Sequence, residues 1–368
     1  MPSASTPVPE LPPLPRRPLG RTAVQVPAVV VGAMAYGALA QRSDPERAAL
    51  LRTAIDRGLT AIDTAPLYEF GRSERIVGAA IAPVRARVQV LSKVGLRWDA
   101  EHGDVLFEAW IDGRVVPVRK DSRPASLRAE VHASLARLGV ERIDVCQIHH
   151  PDAHVPIADA IGTLLELRAQ GLIGEIGVSN FDPTQLRAAV AAMGGTPLAS
   201  VQLPLSLLQP HAAAAQTARA LGVGVLAYSP LAHGALSGRD LGHAPGESDD
   251  RRFSPEFSPA SRAAIGAAVR RSLLPVAARH DLGVAPVALA WVLAQPGVDA
   301  AIVGLSSPRQ IDDAIAAAGL SLSGSECTLL QQAFAEVRCE PAPPPSWPSR
   351  MRARAGRLAR RLRERITT

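Results

Sequence analysis

Residues 141–181 read ERIDVCQIHHPDAHVPIADAIGTLLELRAQGLIGEIGVSNF. Two short β-rich apolar runs, RIDVCQ (142–147) and LIGEIGVS (172–179), flank an amphipathic segment at 156–170. That is one strand–helix–strand unit, and the pattern continues in both directions. Toward the N-terminus stand AVVVG (28–32), LTAID (59–63) and RVQVLSK (87–93). Toward the C-terminus stand LASVQL (198–203), GVGVLAY (222–228) and AAIVG (300–304). Helix-like segments fall near 44–57, 73–82, 124–139, 182–193, 211–221, 261–294 and 308–318, the long one holding two helices with Pro286 opening the second. Eight such units predict an α/β architecture closed as a single (β/α)8 TIM barrel. No G-x-G-x-x-G follows any of these strands, which counts against a doubly wound dinucleotide domain.

The length of 368 residues suits one such barrel with insertions and tails. Apolar residues make up 47% and charged residues 20%, enough for a large core. Long loops are expected after strand 3 (94–123) and strand 7 (229–260), both leaving the strand ends where barrel enzymes build their sites. The chain divides into a Pro-rich extension (1–16), the barrel (17–340) and a Pro-rich linker with a basic tail (341–368). That last segment has eight Arg and one Glu, so residues 1–340 carry about −1 of the total +6. The basic balance therefore gives no reason to expect specific nucleic-acid binding. Met351, Leu358, Leu362 and Ile366 fall on one helical stripe, which suggests a peripheral or oligomer contact through the tail. Residues 188–218 lack Asp, Glu, Lys and Arg, but Gly194, Gly195, Pro197, Pro204 and Pro210 break them up, and no transmembrane segment is expected. Cys146, Cys327 and Cys339 are too few and scattered for a disulfide framework or a zinc site; a cytoplasmic protein with no metal is expected.

Side chains able to do chemistry cluster at the strand ends. AIDTAPLY places Asp63 and Tyr68 after the second strand, VLSKVG places Lys93 on the third, QIHHPD places His149 and His150 after the fourth, and GVSNF places Ser179 and Asn180 after the fifth. Singly, Asp63 reads as a turn residue, Tyr68 as packing and His150 as structural. Lys93 is different. The chain has 38 Arg and two Lys, so a lysine at a buried strand end points to a need for a compact ammonium rather than a planar fork.

Together these residues resemble the aldo-keto reductase family. The AIDTAPLY…GRSE run, the strand-end Lys, D-x-x-x-x-H-x-P (144–151), G-V-S-N-F (177–181), V-Q (201–202), A-Y-S-P-L (227–231) and G-x-S-S-P-x-Q (304–310) occur in the family's order over residues 17–336. The likeness is to the bacterial branch related to potassium-channel β subunits and general stress reductases. It implies a catalytic set of Asp63, Tyr68, Lys93 and His149. Tyr68 would give a proton to the carbonyl oxygen while Lys93, held by Asp63, lowers the phenol's pKa. His149 would orient the carbonyl. The resemblance further implies a nicotinamide cofactor held by Gly32, Met34, Ser179, Asn180, Gln202 and Tyr228. It places the pyrophosphate under Ser229, Pro230, Leu231 and Arg239, and the adenosine phosphate against Gly304, Ser306, Arg309, Gln310 and Asp313.

Four positions depart from the family pattern. Glu69 follows the catalytic Tyr where Gly is usual, Asp313-Ala314 replaces Glu-Asn, Ser306 stands where many relatives have Arg, and Leu205 replaces a Tyr. Arg309 and Arg239 would compensate for Ser306, which favours NADP(H) while leaving NAD(H) open. The function implied is NADP-dependent reduction of an aldehyde, ketone or sugar-derived carbonyl, an oxidoreductase activity on a small-molecule substrate. The alternative is a cofactor-sensing binding subunit with little turnover. A Schiff-base aldolase using Lys93 is opposed by the Gln202/Tyr228 set. In the loop after strand 3, Trp98, Phe107, Trp110 and Ile111 offer apolar contacts, and Asp99, Glu101, Asp104, Arg114 and Arg119 polar ones.

Overall fold

The computed structural model describes residues 14–34, 39–111, 113–210, 212–246 and 249–340. The basic tail and most of the Pro-rich extension lie outside the described residues. The barrel strands are β1 (Val29–Gly32), β2 (Ala61–Asp63), β3 (Gln89–Val94), β4 (Ile143–Ile148), β5 (Ile173–Ser179), β6 (Ser200–Ser206), β7 (Gly224–Tyr228) and β8 (Val298–Gly304). Each pairs in parallel with its sequence neighbours, and β8 pairs with β1, so the sheet closes on itself. Closure leaves the barrel without an exposed edge.

The helices start where the local chemistry asks them to. α1 (Asp44–Asp56) opens on a reciprocal cap between Ser43 and Glu46, with Pro45 in its first turn. α2 (Arg72–Ile81), α3 (Pro124–Leu138), α4 (Ile157–Ala169), α5 (Pro183–Ala192) and α6 (Ala212–Leu221) follow β2 to β6. The α5 start repeats the reciprocal cap with Asp182 and Gln185. After β7 come α7 (Pro259–Ala268), a π turn, α8 (Leu274–Arg279) and α9 (Val284–Leu293). Pro286 sits inside the first turn of α9, which starts at Val284, two residues before the Pro286 start read from the sequence. α10 (Pro308–Gly319) follows β8, and α11 (Gly324–Ala335) closes the described chain. Among the described residues no single helix is long and apolar enough to cross a membrane.

Two features depart from the sequence reading. A hairpin of Arg16–Pro18 against Gln25–Pro27 plugs the N-terminal end of the barrel, with Leu19 and Val26 joining its interior cluster. The Arg17 guanidinium ties it to the carbonyls of Leu293 and Val298 at 3.0 Å each. The connection after β3 carries its own three-stranded antiparallel sheet, in which Leu96–Arg97 and Val105–Ile111 flank Arg114–Lys120. Its neck is pinned by Asp121 N–H donating to Gly95 O (3.1 Å) and Gly95 N–H donating to the buried carboxyl of Glu130 on α3 (2.6 Å).

Strand parity positions the site. Val30, Ala61, Leu91, Val145, Leu226 and Ala300 fill the barrel interior. Side chains alternate across a strand, so the residue two places on points inward again, one layer nearer the mouth. That residue is Gly32, Asp63, Lys93, Gln147, Tyr228 or Ile302, and Gly177, Ser179, Ser200 and Gln202 continue the inward set on β5 and β6.

Candidate active site

At the mouth the buried Lys93 ammonium donates to Asp63 Oδ1 at 2.5 Å and to the Thr64 carbonyl at 3.0 Å. Asp63 Oδ2 accepts from Gln202 Nε2. The ammonium also stands 4.8 Å from the centre of the Tyr68 ring. His149 approaches that ring edge-on, with centroids 6.0 Å apart, and stacks on His150 at 5.5 Å. The four residues of the expected catalytic set therefore lie together in the barrel mouth. The His149 backbone N–H donates to Val94 O at 2.8 Å, anchoring the chain where the ring projects.

The electrostatics follow from burial. Desolvation pushes the Tyr68 phenol above its ordinary value near 10, and the Lys93 charge only partly counters it. The ammonium does lower the phenol, as the resemblance implies, but burial outweighs it and the net shift is upward. Burial also works against the charged form of Lys93, but Asp63 and Tyr68 overcome it, and its pKa ends above the usual lysine value. Burial, then the Lys93 charge, then His150 hold His149 well below the ordinary histidine range. Burial and Lys120 hold His150 at about 4. Both imidazoles are neutral at neutral pH.

The residues expected around a cofactor are found in three places. Asn180, left-handed at φ 62, donates to His149 O (3.0 Å), lies 3.2 Å from His150 Nε2, and accepts from the Tyr228 hydroxyl at 2.9 Å. It ties β4, β5 and β7 together. Burial raises the Tyr228 phenol to about 12, so it remains a neutral ring and donor. Ser179 and Gln202 are buried beneath the mouth, and Met34 stands 39% exposed at its rim. Ser229, also left-handed (φ 51), lies with its hydroxyl 3.3 Å from His233 Nε2, next to buried Pro230 and half-buried Leu231. Farther out, Gln310 Oε1 accepts from Ser306 N–H (2.6 Å) and Oγ (3.0 Å), so Gln310 braces the turn after β8. Arg239 and Arg309 are exposed, and the Arg309 charge acts on half-buried Asp313. These outer groups do not contact the catalytic cluster.

The strand ends leave room for a ligand here. Gly32 and Gly304 pair in register at the mouth, and a Cβ on Gly304 would meet nothing within 4 Å, leaving the end of β8 open. The sequence reading missed the Thr64 carbonyl that holds Lys93 and the Asn180–Tyr228 tie. The first is a backbone contact with no sequence signal. The second joins residues of the quoted GVSNF and AYSPL motifs, whose meeting depends on β5 and β7 both flanking β6.

Comparison with known proteins places the chain. Residues 28–334 match the Aldo/keto reductase family. The chain is 33% identical over 281 residues to the aldo-keto reductase YhdN of Bacillus subtilis, covering 75% of this chain and 80% of that one. It is 32% identical over 284 residues to an NADH-specific methylglyoxal reductase of Escherichia coli, covering 75% and 83% respectively. Among solved structures it resembles the glycerol dehydrogenase AKR11B4 of Gluconobacter oxydans, with a TM-score of 0.76 and 32% identity over 89% of this chain and 97% of that one. With the closed barrel, the strand-end cluster and these likenesses in agreement, the chain belongs to the aldo/keto reductase family.

Proposed function

We propose that the chain reduces an aldehyde, ketone or sugar-derived carbonyl to the alcohol, with Tyr68 as proton donor and NADP(H) as the preferred cofactor. The observation that carries this reading is the buried Lys93–Asp63 pair set against the Tyr68 ring at 4.8 Å. When bound, the reduced nicotinamide supplies a hydride to the carbonyl carbon. The chain's own residues handle the proton. The raised phenol stays protonated until negative charge develops on the substrate oxygen, and Lys93 then stabilises the phenolate left behind. Neutral His149 is suited to donate a hydrogen bond to that oxygen without adding a charge. Ser179, Asn180, Gln202 and Tyr228 would hold the nicotinamide end beside Gly32 and Met34. Ser229, Pro230, Leu231 and Arg239 would cover the pyrophosphate, and Gly304, Ser306, Gln310 and Asp313 would flank the adenosine. Arg309 and Arg239 favour the extra phosphate of NADP(H) over NAD(H), although one relative is NADH-specific. The described cysteines are unpaired, which fits a reducing cytoplasm.

Tyr68→Phe tests the assignment. It should bind NADPH like the parent and lose about 10²–10⁴ in turnover on a small aldehyde. Near-parent turnover in a folded variant would remove Tyr68 from the reaction. Fluorescence titration should show NADPH binding more tightly than NADH, with the gap narrowed by Arg309→Ala or Arg239→Ala; equal affinities in the parent would refute the NADP preference alone.

A further inference from the structure

Immediately after Tyr68 the backbone places three consecutive residues in the left-handed region: Glu69 (φ 50), Phe70 (φ 55) and Gly71 (φ 84). Only Gly71 is at ease there, because a Cβ in that conformation crowds its own backbone. Two non-glycine residues in succession persist in such a run when the surroundings over-determine them. Here they do. Arg47 on α1 is 3% exposed, and its Nη2 lies 2.6 Å from Glu69 Oε2. Arg72 reaches Glu69 Oε1 at 3.3 Å and also binds Asp44, at the start of α1, at 2.6 Å. On the other side the Phe70 ring meets Trp98, at the base of the β3 insertion, edge-on at 5.5 Å.

The same turn contains the backbone of Tyr68, whose N–H donates to Ala65 O (3.1 Å) and whose carbonyl accepts from Ser73 N–H (3.3 Å). A guanidinium taken out of water needs a carboxylate beside it, and among the described residues the ion-pair partner of Arg47 is Glu69. The strained residue and the buried charge therefore require each other. We propose that Arg47 and Glu69 are positioning residues for the proton donor. Their ion pair holds residues 69–71 in the left-handed run and so fixes the direction from which the Tyr68 ring enters the mouth. The inference rests on the reading of Tyr68 as proton donor. It adds that α1, outside the barrel wall, sets the donor's alignment.

Four full-length proteins test it: the parent, Arg47→Met, Glu69→Gly and the double variant. Glu69→Gly relaxes the backbone but strands a buried guanidinium. Arg47→Met leaves the strained Glu69 with Arg72 alone. The double variant removes both the stranded charge and the strained residue, so its Tm should return close to the parent's. Its kcat should not return: about tenfold or more is expected to be missing, because a small misplacement of a reacting group is enough for such a loss. The KM for a small aldehyde and the NADPH dissociation constant should stay within about twofold, and the solvent deuterium isotope effect on kcat should rise as proton transfer slows. Recovery of kcat together with Tm, with an unchanged isotope effect, would show a purely structural pair and overturn the proposal. If the double variant does not fold, Glu69→Gln, which keeps the shape without the charge, should show the same kcat loss at unchanged KM; parent-like kcat there overturns the proposal as well. Should Tyr68→Phe itself remain active, the proton-donor reading falls and this inference with it. That failure is identified by the Tyr68 variant alone.

Discussion

Asp63→Asn breaks the ion pair at the centre of the mouth while keeping the side chain's shape. Lys93 and Asp63 are 1% and 2% exposed, with nitrogen and oxygen 2.5 Å apart. At an effective dielectric near 20, charges at that separation attract by about 7 kcal/mol, most of which offsets the desolvation of the two groups. Removing one partner leaves the other's desolvation uncompensated, and the expected loss of stability is about 3–5 kcal/mol, a fall in Tm on the order of 10 °C. The double variant Lys93→Met/Asp63→Asn removes both charges and leaves the asparagine able to accept from Gln202. Its stability should return to within about 1–2 kcal/mol of the parent, because a buried pair contributes little net stability against neutral groups of similar size. Turnover should behave differently, falling about 100-fold or more in the double variant because the phenolate loses its ammonium. Thermal unfolding and single-turnover reduction of a small aldehyde at saturating NADPH read the two effects separately. Parent-like turnover in the double variant would refute the claim that the Lys93 charge serves Tyr68. A double variant as unstable as Asp63→Asn would show that shape, and not charge, governs this part of the mouth. Because the pKa values of Lys93 and Tyr68 are both raised, their stabilising effect is complete below about pH 10 and is lost as pH rises beyond it, so alkaline unfolding should begin there.

Half-buried His150 and buried Glu130 predict pH effects away from that window. His150, held at about 4, is neutral in the folded chain while the unfolded chain takes up its proton near pH 6.5; stability is lost between those values as pH falls, and His150→Phe should flatten the loss in a Tm-versus-pH series. Burial lifts Glu130 to about 8, so its folded form keeps a proton that the unfolded chain releases near pH 4.5, and stability declines as pH rises from 4.5 to 8. Glu130→Gln, which still accepts from Gly95 N–H, should gain Tm relative to the parent as pH rises through that range and level off above it; a pH-independent difference would contradict the shift.

The barrel and its mouth were legible for one physical reason. Parallel strands covered on both faces are continuous apolar runs, and side-chain alternation carries every second residue to one interior. Once Ala61 and Leu91 face inward, Asp63 and Lys93 must do so too. What stayed hidden depended on other kinds of information. The insertion after β3 carries its own local signal: VLFEAWI and RVVPVRK flank Asp112-Gly113, a strong hairpin sequence, and Gly113 takes φ 84. In the same way Ser323 and Glu326 form the reciprocal cap that opens α11, three residues apart as the capping pattern requires. Both are local signals, independent of the barrel pattern. The direction of the Tyr68 shift was not local: it depends on how completely the phenol is desolvated, which no spacing encodes. The Arg47–Glu69 pair belongs to the same class. Its members are 22 positions apart in sequence and meet only because α1 packs against α2, just after the turn that follows β2. The residue types that carry the proposed chemistry are thus written in the strand ends, whereas their alignment and protonation are set by the helices and the depth of burial around them.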